Sequence, residues 1–128
     1  MHISRTFAAL LVATGLAVAV PAFAHPQLVV ADPAQGATVA KVSQVTLTFS
    51  EPLIAQMSGI DVVMTGMPGM DHHAAMKMTG VRVSVGADGK SLVASLPRPL
   101  PVGSYEADWH AVSTDTHRVI GKLTFTVK

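Results

Sequence analysis

Short runs in which apolar and polar residues alternate recur along the chain, most plainly Val45-Thr46-Leu47-Thr48-Phe49. A period of two sends alternate side chains to a core and to water, the pattern of a half-buried strand. Runs of the same kind occupy Gln27–Ala31, Gly59–Met64, Val81–Val85, Ser91–Leu96, Ser104–Val112 and Lys122–Val127. Turn-forming stretches separate them: DPAQGA from Asp32, GADGK from Gly86 and PRPLPVG from Pro97. No stretch carries a convincing amphipathic helical period. About seven short strands at this spacing predict an all-β fold, a Greek-key β-sandwich or barrel of immunoglobulin-like or cupredoxin-like type.

The first 24 residues follow another pattern. His2 and Arg5 precede an apolar run from Phe7 to Val20, which breaks at Pro21 before Ala22-Phe23-Ala24. This is the layout of a secretory signal peptide over residues 1–24, cleaved after Ala24. The apolar run falls short of the ~20 residues that span a bilayer, and no second long run follows, so no stable membrane insertion is expected. One domain over residues 25–128, exported to the periplasm, is the expected product.

Charge narrows the function. The chain has nine Lys and Arg against eight Asp and Glu, and Arg5 leaves with the leader, so the exported domain is near neutral. It lacks the basic stripe that displaces counterions from a nucleic acid. It also has no cysteine, which excludes disulfides, thiol nucleophiles and thiolate metal sites.

Soft sulfur is nevertheless abundant. Between Met64 and Met78, fifteen residues hold five methionines and two histidines. Met64, Met67 and Met70 recur every third residue, followed by His72, His73, Met76 and Met78, while Gly66, Pro68 and Gly69 oppose regular structure and predict a loop. Thioether sulfur is neutral and polarisable, and it favours Cu(I) over Zn(II), Mg(II) or Ca(II). The segment therefore reads as a Cu(I) site. Spacing does not choose between the adjacent His72 and His73.

A second set of donors is nitrogen and oxygen. Cleavage after Ala24 gives His25 a free α-amine, which with its own imidazole makes a bidentate chelate; Pro26 has no amide proton and cannot extend it. Asp115 and His117 lie two apart in STDTHR, and in an extended segment they would point to one side. Such donors suit Cu(II). Glu51, after the strand TLTFS, either is solvated or reaches the His25 site. His110 reads as a surface or supporting histidine, and Trp109 and Tyr105 as core.

Together HPQLVVADPAQGA after the leader, LTFSEPL, VMTGMPGMDHHAAM and YEADWHAVSTDTHRVIGKLTFTV resemble the CopC family of periplasmic copper-resistance and copper-trafficking proteins. The resemblance covers essentially the whole exported chain. It implies two separated copper sites at opposite ends of a small β-barrel or sandwich. For Cu(II) the matching positions are His25, His117 and Asp115, with Glu51 at the place of a variable oxygen ligand. For Cu(I) they are Met64, Met67, Met70, His72 and Met76. MDHHAAM carries one residue more between histidine and methionine than the family's usual loop, which leaves His73 and Met78 as alternatives to His72 and Met76.

A copper carrier is the leading function, not an enzyme, because no nucleophile elbow or catalytic triad is apparent. The resemblance implies an inner-membrane copper permease and a multicopper oxidase as partners, and a monomer is the default. The rival reading is a small histidine-brace copper monooxygenase, opposed by the few aromatic residues and by Asp115 beside the metal position.

Overall fold

The computed structural model describes Gly15 and residues 25–70 and 74–128. The rest of the expected leader, together with Asp71, His72 and His73, lies outside the described residues. Nine strands follow in order: β1 Leu28–Asp32, β2 Thr38–Val39, β3 Gln44–Phe49, β4 Gly59–Gly66, β5 Met76–Lys77, β6 Arg82–Val85, β7 Ser91–Ser95, β8 Gly103–Val112 and β9 Arg118–Val127. Among the described residues a single 3-10 turn covers Ala55–Met57. Among the described residues no helix is long and apolar enough to cross a membrane.

All seven alternating runs form strands. The two additions, β2 and β5, are two residues long and too short to carry a period. β9 begins earlier than its alternating run, because its whole length pairs with β8 from Val112↔Arg118 to Gly103↔Val127. One sheet has the order β1-β3-β7-β6 and the other β2-β9-β8-β4-β5. Strands distant in sequence thus become neighbours, and the sheets face each other as a Greek-key sandwich.

Val45, Leu47 and Phe49 of β3 and Leu92 of β7 meet Ile60, Val62, Tyr105, Ala107, Leu123 and Phe125 in one core. The Tyr105 hydroxyl donates to the Pro101 carbonyl at 2.5 Å and closes the turn into β8. Tyr105→Phe leaves that carbonyl without its donor, and the expected loss of about 1 kcal/mol appears as a drop of about 4–8 °C in thermal melting. Trp109 lies across from Gly121, where no Cβ would fit beside the indole. Its ring meets Phe49 edge-on at 5.0 Å.

Strand register fixes the two ends. β4 runs against β8 from Gly59↔His110 to Gly66↔Ser104. The β8–β9 connection and the segment before β4 therefore lie at one end, and the chain after Gly66 leaves from the other. At ~3.3 Å per residue, the ten residues of β8 separate those ends by roughly 30 Å.

Candidate metal centres

At the first end, residues 50–54 cross between the sheets. Ser50 N–H donates to the Gln27 carbonyl at 2.9 Å, and Gln27 N–H donates to Ser50 Oγ at 2.9 Å. On the other side Ile54 N–H reaches Val112 O at 2.8 Å and Thr114 N–H reaches Pro52 O at 3.0 Å. This strap ties the N-terminal segment to the β8–β9 connection. Pro26 is fully buried beneath it, so His25 leaves an anchored backbone while remaining exposed.

The His25 and His117 rings consequently meet, with centroids 4.7 Å apart and planes inclined at 72°. That spacing is ordinary for an edge-on ring pair, and it also lies near the roughly 4.5 Å at which two imidazoles bound at about 2 Å to one ion would stand.

Asp115 and His117 converge by a route different from the expected extended pleat. Thr116 N–H donates to Ser113 O at 2.8 Å and Ser113 N–H to His117 O at 2.9 Å, which makes a tight turn. Thr116 sits at φ +70°, a conformation that costs a β-branched residue about 1–2 kcal/mol. That turn, rather than strand alternation, brings Asp115 Oδ2 to 2.9 Å from His117 Nδ1. The hydrogen bonds to Asp115 from the Ser113 hydroxyl and the His117 ring hold its carboxyl at about 2, below the usual carboxylate range. It is therefore ionised across ordinary pH, and the stability its hydrogen bonds contribute is lost progressively as pH falls from the usual carboxylate range down through that value. A histidine whose Nδ1 is engaged by a carboxylate presents Nε2 to a metal.

Ser113 is the residue that sequence reasoning missed. It is buried, and its hydroxyl bonds the Asp115 carboxylate. Its sequence signal was an S-x-D turn. Ser113→Ala releases Asp115, and a metal held through Asp115 and His117 is expected to bind about 10–100-fold more weakly at unchanged stoichiometry, read by competition titration.

Glu51 lies half-buried within the strap. Among the described residues no three His, Asp or Glu side chains already form a cage. His117 instead links two pairs, meeting the His25 ring on one side and Asp115 on the other, and an α-amine at His25 would add a donor beside it. His110 is elsewhere, on the outer face of β8 with its ring over Gly59.

At the opposite end, Met67 and Met70 exchange both backbone hydrogen bonds, Met67 N–H to Met70 O at 3.3 Å and Met70 N–H to Met67 O at 2.9 Å. Pro68 and Gly69, with Gly69 at φ +79°, make the corner of a type II turn. Residues paired this way send their side chains to one face from Cα atoms about 5.5 Å apart. Met67, Met70 and Met76 are all exposed, and Met76 lies in β5, opposite Met64 of β4.

Met64 closes the alternating run Gly59–Met64 as a strand residue of β4, and the loop expected from the methionine spacing begins after it. Its side chain continues the inward set Ile60, Val62, Met64 of β4 and is buried in the core. A side chain at Gly103 would clash with its terminal methyl. Met78 also packs against the core, and Met57 is exposed at the end of the 3-10 turn, outside the methionine end.

The chain is 45% identical over its whole length to the full-length copper resistance protein C of Pseudomonas syringae pv. tomato. Copper resistance protein C of Escherichia coli is 45% identical over 88% of this chain and 89% of its own. The crystal structure of PcoC, a methionine-rich copper resistance protein from Escherichia coli, superimposes with a TM-score of 0.74 at 44% identity, covering 82% of this chain and all of that one. The model of the CopC domain matches residues 28–128, and the chain belongs to the CopC family.

Proposed function

We propose that this protein is a periplasmic copper carrier in copper resistance, binding Cu(II) at the His25 end and Cu(I) at the methionine end. The observation that carries the reading is the separation of two chemically distinct donor sets by the length of β8. Imidazole and carboxylate suit Cu(II), whereas exposed thioethers suit Cu(I). In this reading His25 binds through its amine and ring and His117 through Nε2, with Asp115 ligating or orienting His117 and Glu51 of the strap as a further oxygen donor. Met67, Met70 and Met76 bind Cu(I) with His72 or His73. Met64 supports that site from the core and does not ligate.

Change of oxidation state then changes donor preference and moves copper between ends. The protein acts as a monomer and passes copper to an inner-membrane copper permease or a multicopper oxidase. Its relatives are named for copper resistance and not for a reaction, in keeping with carriage.

Titration with Cu(II), followed by EPR and by quenching of Trp109, tests the first end. His117→Ala is expected to lose most of the affinity, and His110→Ala is expected to bind like the parent chain. Equal binding by all three chains would remove His117 from the site.

A further inference from the structure

The thioethers proposed for the Cu(I) end differ in exposure from the buried Met64, with Met78 between them. Met67, Met70 and Met76 are 43%, 55% and 51% exposed, whereas Met64 is 4% exposed. The chain has no cysteine, so thioethers are all of its oxidisable sulfur. We propose that Met67, Met70 and Met76 are a site of reversible sulfoxidation by hydroperoxides, and that this modification disables the Cu(I) end while sparing the Cu(II) end. The proposal rests on the Cu(I) reading given above.

In the reaction a sulfur lone pair attacks one oxygen of hydrogen peroxide. The S–O bond forms, the O–O bond breaks and water departs; sulfur loses two electrons and the peroxide gains them. The product is a sulfoxide, in which a hard oxygen dominates where a soft sulfur donor stood, so Cu(I) loses its ligand. Sulfoxide reductases reverse the change with a thiol reductant.

Exposure decides both selectivity and cost. Peroxide reaches the three outer sulfurs directly, but it reaches Met64 only when β5 and the core beneath it open. The Met67–Met70 turn is held by backbone hydrogen bonds and β5 by pairing to β4, neither of which a sulfoxide at an exposed position removes. The polar product also enters water and not the core, unlike a sulfoxide at Met64. The His25 end, a full strand length away, keeps its nitrogen and oxygen donors.

The test oxidises the metal-free protein with hydrogen peroxide, removes the peroxide, and maps added oxygen by peptide mass spectrometry. Cu(I) retention against a chromophoric chelator and Cu(II) binding by EPR are measured before and after. Oxygen is expected on Met67, Met70 and Met76 well ahead of Met64, with Cu(I) affinity falling about tenfold or more, Cu(II) binding unchanged, and recovery after treatment with methionine sulfoxide reductases. Met57→Leu removes an exposed thioether outside the cluster and is expected to change none of these results. Oxidation of Met64 as fast as Met67, or equal Cu(I) affinity before and after, overturns the proposal. Failure to bind Cu(I) before oxidation overturns the underlying functional reading as well.

Discussion

If the proposed Cu(II) site is right, adding one residue ahead of His25 to a chain that begins there is expected to weaken Cu(II) binding by on the order of a hundredfold to ten-thousandfold, the gain that tethering two donors together gives. The extension turns the α-amine into an amide and leaves only the imidazole of His25. Pro26 cannot compensate, because it has no N–H and is buried. Fold and Cu(I) binding are expected to be unaffected, since the far end of β8 is untouched. Competition titration of the two chains, with thermal melting as a control for folding, reads the difference. Equal affinities would exclude the amine as a ligand.

The second large effect belongs to the methionine end. Replacing Met67, Met70 and Met76 together with leucine is expected to reduce Cu(I) affinity by about two orders of magnitude or more, because the donors left are poor partners for a soft ion. These positions are exposed, so each change should alter stability by no more than about 0.5 kcal/mol. Met64 should behave in the opposite way. Met64→Leu conserves volume and is expected to keep Cu(I) binding at a cost below about 1.5 kcal/mol, whereas Met64→Ala is expected to cost about 2–5 kcal/mol by opening a cavity. Chelator competition and denaturant unfolding separate the two roles.

Met64 also shows where the sequence was legible and where it was not. Two periods overlap there: the spacing of three in Met64, Met67 and Met70, and the strand alternation Ile60, Val62, Met64. The second prevails because burial against Tyr105 and Gly103 outweighs any local pattern. The seven alternating runs were readable because each buries one face along most of its length. β2 and β5 were not, since a two-residue strand is defined by its partner. Asp115 and His117 were visible as a pair, but the turn through Thr116 that joins them depends on a left-handed residue with no glycine to announce it. The contact between His25 and His117 lay beyond local patterning. It arises from the strap over residues 50–54; the donor chemistry grouped the two residues, and the family resemblance placed them at one site.

Simultaneous occupancy of the two ends is the most direct measurement of the function proposed here. The chain beginning at His25 is loaded anaerobically with one equivalent of Cu(I), given one equivalent of Cu(II), and examined by native mass spectrometry and EPR. The expected result is a species with two copper ions per chain and a nitrogen-rich Cu(II) signal equal to that of the chain carrying Cu(II) alone. A limit of one copper per chain, with the second ion displacing the first, would contradict two independent ends.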